Sequence, residues 1–419
     1  MSSPAATEQP PRQVIDEIHG FVTEGIDLEE GRFDAEPTVF WQGLRDLGTE
    51  LWLDTGDIDE ASKHWTAEFS ALTTNNTLLN TEVQKGIYDG LISKAARALG
   101  ELEISTRVVE IAFILNARHG LRLVRRFGGR VSVELHTDRA HDVEATLAYA
   151  RRFYSICPSH FIIKVPLTPA GLLATRTLRR ENIPVNFTLG FSARQNYVAA
   201  AFAAPSYVNV FLGRLNSYVK NNRLGDGEGV GERATRSSQR AVKELAEGRP
   251  DRTRQIAASL RGGGQPAALA GVDVLTLPTR VAGAAREELD GEWTSSLDVD
   301  EPVSLADSVD ASAVRLESVW EVSEPVRRFA ASLAAQPPGS PGELVDRAHE
   351  LGAGDLLPRL AEGDLRQIAE DGKIPDHARW AGRIRAGEVA IDTLLNLAGL
   401  ASFAANQQEL DDRIRGLAG

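Results

Sequence analysis

The stretch 161–213 reads FIIKVPLTPAGLLATRTLRRENIPVNFTLGFSARQNYVAAAFAAPSYVNVFLG. Three short β-type runs, 161–166, 184–189 and 207–213, are set apart by segments long enough for a helix. The same rhythm continues on both sides, in ELWLDT (50–55), ALTTNN (71–76), VSVEL (131–135), QIAASLR (255–261) and VDVLTLP (272–278). Helical periodicity fills most of the intervals, most clearly at 80–99 and 141–153. Eight such runs separated by helices predict parallel βα units. They span roughly 230 residues, within the range of a (β/α)8 barrel. An open doubly wound sheet also alternates, but the Gly-x-Gly-x-x-Gly turn is absent after the first run. Eight is the closing number, so the predicted fold class is α/β, a (β/α)8 TIM barrel over 13–290 with additional C-terminal helices.

Residues 1–12, rich in Ser, Ala, Pro and Gln, are expected to be disordered. Beyond the barrel, 281–330 is acidic and loop-rich with helical pieces, and PPGSPG (337–342) reads as a break. Residues 343–419 look helical, ending in a stretch (390–417) whose apolar residues recur at helical spacing. Residues 291–419 are therefore expected to form an acidic connection and a helical extension packed on the barrel.

The 419 residues are 42% hydrophobic and 25% charged, the composition of an ordinary globular protein. A net charge of −13 argues against a nucleic-acid partner, which needs clustered Lys and Arg. It leaves room for a small anion in a local basic pocket. The single cysteine, Cys157, excludes an intramolecular disulfide framework and a multi-cysteine metal site. The N-terminus has no apolar signal core, and no run reaches the roughly 18 apolar residues of a membrane span. The expectation is a cytoplasmic protein with no membrane partner, compatible with a homodimer as well as with a monomer.

Asp54, Asn75, Glu134, Lys164, Thr188, Arg214 and Arg261 each fall at or near the C-terminal end of a different strand run. In a barrel those ends converge on one mouth, where active sites are built. Any one of them alone reads equally well as a solvated strand-end group. Lys164 has apolar neighbours on both sides, and desolvation favours its neutral, nucleophilic amine. Such an amine attacks a ketone to form an iminium, the electron sink for carbon–carbon cleavage. The plain alternative is a strand-end lysine snorkelling to solvent. Asp54 and Glu134 follow apolar strand residues and could supply the proton transfers, or could simply partner a cation. Arg214 and Arg261 end the sixth and seventh runs. Ser259, two residues before Arg261, would share its face in a strand. With the amides of Gly262–Gly264 they make a candidate phosphate seat. GDGEGVGE (225–232) is set aside as a mobile loop. His136 and His141 lack a third ligand, so no metal is expected, and Cys157 reads as packing.

With these residues in hand, the chain resembles the transaldolase family. LDTGDI (53–58) is similar to its first-strand motif and TTNNTLL (73–79) to its Thr-Thr-Asn-Pro-Ser-Leu motif. VSVEL, IIKVP, VNFTLGFS (185–192), VFLGR (210–214), AASLR (257–261) and VDVLTLP follow in the family's order. SFAANQQELDDRI (402–414) is similar to its closing helix.

The resemblance implies a class I aldolase mechanism without metal or organic cofactor. A dihydroxyacetone unit would pass from sedoheptulose 7-phosphate or fructose 6-phosphate to glyceraldehyde 3-phosphate or erythrose 4-phosphate, as in the pentose phosphate pathway. It implies a Schiff base on Lys164 and proton abstraction by Asp54. Glu134, with Thr188 holding a water, would serve carbinolamine dehydration and hydrolysis. Asn75 and Asn186 would bind the dihydroxyacetone hydroxyls, and Arg214, Ser259 and Arg261 the phosphate. Phe211 occupies a position that is Phe in transaldolases and Tyr in the related fructose-6-phosphate aldolases. There are departures. Asn76 stands where the family has Pro, and Asn209 replaces a small residue at the dihydroxyacetone end. Residues 290–390 match nothing in the pattern. Two other readings stay open: a related aldolase with a different acceptor, and a non-catalytic sugar-phosphate-binding barrel.

Overall fold

The computed structural model describes residues 10–246, 252–300 and 302–418. Most of the segment expected to be disordered, residues 1–9, lies outside the described residues. Arg12 already opens a helix, Arg12–Thr23.

Eight parallel strands close into a barrel in chain order. They are β1 (Glu50–Asp54), β2 (Phe69–Thr73), β3 (Arg130–Glu134), β4 (Phe161–Pro166), β5 (Val185–Thr188), β6 (Tyr207–Phe211), β7 (Arg254–Ala258) and β8 (Val274–Pro278). Closure is direct: Leu53 of β1 is in register with Leu72 of β2 on one side and Leu277 of β8 on the other. The open-sheet alternative is thereby excluded. β4 shows why its sequence reads as a continuous apolar run. Phe161, Ile162, Ile163 and Val165 are all buried, because one strand face fills the barrel and the other lies under helices.

β1, β3 and β5 end one residue before the expected runs, and three strands end two or three residues before them, each for a local reason. β2 stops at Thr73 because Asn75 accepts the Leu78 N–H at 2.8 Å and caps the helix Asn76–Gln84. β6 stops at Phe211 because Leu212 opens the helix Leu212–Asn221. β7 stops at Ala258 because Ser259 takes a left-handed conformation at φ +66°. The glycine-rich 225–232 is packed rather than loose. Gly225 bridges to Leu305, and a Cβ on Gly231 would lie 2.3 Å from the Leu212 carbonyl oxygen. Glu232 is buried and accepts from Asn216 (3.1 Å) and Gln265 (2.6 Å).

The chain after β8 is helical and docks on the barrel's outer helices. Glu324–Ala335 packs against Ala193–Phe202, and Pro341–Glu350 against Pro169–Arg180. A buried charge cluster fastens it: the Arg194 guanidinium donates to Asp392 (2.8 Å) and Asp355 (2.9 Å), and Ser192 Oγ donates to Asp392 (2.6 Å). Breaking such a cluster by removing one partner costs about 3–5 kcal/mol, because a charge is left buried and unpaired. The final helix, Ile391–Ala418, reaches the C-terminal strand ends. Its Asn396 amide donates to the carbonyls of Leu167 (3.2 Å) and Leu189 (2.9 Å), just beyond β4 and β5. Farther along, Arg413 pairs with Asp89 at 2.8 Å. Among the described residues no helix is long and apolar enough to cross a membrane.

Candidate active site

The C-terminal strand ends surround a cavity of about 180 Å³. Asp54, Asn75, Lys164, Asn186, Asn209, Phe211, Arg214, Ser259 and Arg261 all line it, so residues spread over 208 positions of sequence meet at one mouth. Glu134 and Thr188 stand behind this surface, both buried.

Register explains the central group. Glu134 of β3, Lys164 of β4 and Asn186 of β5 are mutual partners across three adjacent strands. Neighbouring parallel strands point register-matched side chains the same way, so an amine, a carboxylate and an amide share one layer. Lys164 is 3% exposed; its Nζ donates to the Thr74 carbonyl at 3.0 Å and lies 3.9 Å from Glu134 Oε2. Glu134 Oε2 accepts the Asn76 backbone N–H at 3.1 Å. Burial pushes the Glu134 carboxyl above its ordinary range, against the opposing pull of Lys164 and the Asn76 N–H. Asp54 is pushed up by burial as well, with Lys164 and Arg261 opposing.

The amide side is a relay. Asn186 donates to Ser132 Oγ at 3.1 Å, and its carbonyl oxygen accepts from Asn209 at 3.3 Å. Asn209 in turn accepts the Gly190 N–H at 3.1 Å. The larger residue at 209 therefore orients Asn186 while still lining the cavity. The Thr188 hydroxyl is fully buried and, among the described residues, has no hydrogen-bond partner.

On the opposite wall the cations go unanswered. Arg214 sits in the first turn after β6, 8% exposed, and among the described residues its Nη1 has no hydrogen-bond partner. Burial and the neighbouring Arg261 pull its pKa down to about 10, so it stays charged at neutral pH. Arg261 is lowered by burial and by Arg280, with Asp54 opposing. Among the described residues neither arginine forms an ion pair, which leaves their charge for a ligand. Ser259 and Arg261 reach the cavity from a left-handed turn after β7, and not through the strand alternation expected for them. The glycines contribute otherwise than expected. None of the three lines the cavity, the Gly262 N–H is taken by Gln265 at 3.1 Å, and Gly263 packs against Glu288.

Several lining residues escaped the sequence reading. Thr73 and Thr276 share a hydrogen bond of 2.6 Å between β2 and β8, within strand runs that gave no chemical signal. Phe403 comes from the final helix, and its ring centroid is 5.9 Å from Lys164 Nζ and 5.7 Å from Arg214 Cζ. The SFAANQ motif held the clue to it. Gly399, one turn earlier, makes room: a Cβ there would lie 2.8 Å from Leu189 and 3.1 Å from Arg214 Nη1. Lys373 lines the cavity from the segment that matched no pattern.

Comparison with known proteins agrees with this geometry. Residues 51–335 match the family described as Transaldolase/Fructose-6-phosphate aldolase. A transaldolase of Xanthomonas oryzae pv. oryzae is 33% identical over 270 residues, covering 62% of this chain and 80% of the relative. One from Xanthomonas campestris pv. campestris is 32% identical over 257 residues, covering 58% and 76%. One from Nostoc punctiforme is 29% identical over 245 residues, covering 56% and 72%. The match begins inside β1 and runs beyond β8, so it takes in the strands that carry the amine, the carboxylates and the arginines. The chain belongs to the transaldolase/fructose-6-phosphate aldolase family and is an enzyme of that type.

Proposed function

We propose that the enzyme transfers a dihydroxyacetone unit between sugar phosphates through a Schiff base on Lys164. Sedoheptulose 7-phosphate or fructose 6-phosphate is the donor, and glyceraldehyde 3-phosphate or erythrose 4-phosphate the acceptor. One observation carries the reading: a buried amine on β4 has Glu134 within 3.9 Å and faces a cavity shared with Asp54 and with two arginines, Arg214 and Arg261, that form no ion pair among the described residues.

Lys164 Nζ adds to the donor ketone, and Glu134 moves the proton that lets the carbinolamine lose water. Asp54 takes the proton from the hydroxyl next to the scissile bond. That bond's electrons pass into the iminium, giving an enamine on Lys164 and a free aldose phosphate. The acceptor aldehyde then takes the enamine carbon, and the steps reverse until water releases the new ketose. Arg214, Arg261 and Ser259 hold the phosphate, and the Asn209–Asn186 relay orients the dihydroxyacetone end. Phe211 lines the cavity without a hydroxyl, which favours transfer over release of the three-carbon unit.

The test is borohydride reduction with fructose 6-phosphate present, followed by peptide mapping. A covalent three- or six-carbon adduct on the Lys164 peptide is expected, absent in Lys164→Arg because a guanidinium stays protonated. An unmodified Lys164 peptide, or Lys164→Arg retaining more than about 1% of transfer activity, a loss of under roughly 3 kcal/mol, overturns it.

A further inference from the structure

Lys373 belongs to the turn between the helices Glu362–Asp371 and His377–Arg385, far from the barrel in sequence, yet it lines the catalytic cavity. It is the only lysine after Lys243; every other cation of the extension's helices is arginine or histidine. Three acids lie within three residues of it: Glu370, exposed and accepting from Gln367 Nε2 at 3.5 Å, and Asp371 and Asp376, which are committed to the fold. The Asp371 side chain is buried and accepts from Trp380 Nε1 (3.2 Å), Arg379 (2.7 Å) and the Asp376 N–H (3.2 Å). Asp376 caps the following helix through the Ala378 N–H at 3.0 Å and pairs with Arg379 at 3.3 Å. Lys373 is left exposed at the mouth and, among the described residues, without an ion pair.

The turn is also pinned to the element that carries Arg214. Gly372 adopts φ +77°, and beyond it the Pro375 carbonyl accepts from Asn222 Nδ2 at 3.0 Å. The His377 N–H donates to Asn222 Oδ1 at 2.9 Å, and His377 Nδ1 lies 2.8 Å from the Tyr218 hydroxyl. Tyr218 lies on the helix Leu212–Asn221, which carries Arg214 in its first turn, and Asn222 caps its C-terminal end. These contacts hold the turn in register with the arginine wall. A flexible ammonium over a preset guanidinium pair suits a dianion that needs neutralising from a second side.

We propose that Lys373 is a specificity-determining residue that closes on the phosphate monoester of the substrate, so that the phosphate is held between barrel and extension. This rests on the sugar-phosphate reading of the cavity. Its test therefore includes a binding measurement that needs no turnover: inorganic phosphate titrated calorimetrically into wild type, Lys373→Met and Lys373→Arg, all checked for unchanged circular dichroism. Phosphate binding should weaken about fivefold or more in Lys373→Met and recover to within about twofold in Lys373→Arg. In assays, Lys373→Met should raise KM for glyceraldehyde 3-phosphate more than it lowers kcat. The preference for that acceptor over unphosphorylated glyceraldehyde should fall about tenfold. Equal phosphate affinity in wild type and Lys373→Met, or an unchanged acceptor preference, overturns the assignment. Phosphate binding that depends on Lys373 in a protein showing no borohydride-trapped adduct would overturn the reaction and leave the anion site standing.

Discussion

The backbone N–H of Asn76 points at the Glu134 carboxylate, 3.1 Å from Oε2, and among the described residues it is that carboxylate's one hydrogen bond. Proline, which the resemblance leads one to expect at 76, has no N–H to give. The substitution thus changes the electrostatics of a proton-transfer group through the main chain. Asn76→Pro should remove the donor and favour the protonated acid, moving the acid limb of the kcat–pH profile upward by about one unit. Asn76→Ala keeps the N–H and should keep the profile. Superimposable limbs for wild type and Asn76→Pro would show that the contact does not tune Glu134.

Burial raises the Glu134 pKa, and the sign of that shift fixes a stability effect. A carboxyl whose folded pKa is raised supports folding fully below its unfolded value of 4.5, and that support is lost as pH rises through the folded pKa. At pH 7.5 the wild type carries the cost of a buried charge that Glu134→Gln lacks. Glu134→Gln should melt about 1–3 °C higher at pH 7.5, with the gap closing toward pH 4.5, and should lose about 10²–10⁴-fold in rate. A gap that widens on acidification contradicts this.

Arg214→Ala and Arg261→Ala should each weaken handling of phosphorylated acceptors by about 1.5–3 kcal/mol, seen mainly in KM. Unphosphorylated glyceraldehyde should suffer far less. Equal losses on both acceptors would mean that the arginines do not hold phosphate.

Phe211 presents an apolar ring to the cavity, edge-on to Phe191 at 5.7 Å. Phe211→Tyr adds one proton donor at nearly constant volume. It should gain release of dihydroxyacetone from fructose 6-phosphate without acceptor and lose some transfer rate. Rapid release by the wild type with no gain in the variant would show that position 211 does not gate the outcome.

Much of this was legible in the sequence, because barrel strands announce themselves. FIIKVP and VNFT are short, apolar and bounded, and their polar residues can face only the interior. Register then places Glu134, Lys164 and Asn186 in one layer. What stayed hidden depends on the backbone between elements. Ser259 and Arg261 read as a strand pair, whereas the left-handed residue that aims them leaves no signature in a non-glycine. The glycines after Arg261 suggested amides for an anion, yet none of them lines the cavity, and Gln265 Oε1 accepts the N–H of Gly262 together with that of Arg261 itself. Lys373 could not be found by pattern, since its place depends on Asn222 and Tyr218 holding a turn some 150 positions away.

The helix that brings Phe403 over Lys164 and caps the ends of β4 and β5 is made after everything it covers. A ribosome finishes all eight strands, and with them the amine, both carboxylates and both arginines, before it begins residues 279–390. Only after that stretch does it reach the helix Ile391–Ala418. A barrel without that helix would hold its reactive set under an open top, and the Leu167 and Leu189 carbonyls would lose the Asn396 amide. The pocket is therefore complete only once the helix Ile391–Ala418 has docked. A chain interrupted before residue 391 would keep every reactive group and still have an unfinished pocket.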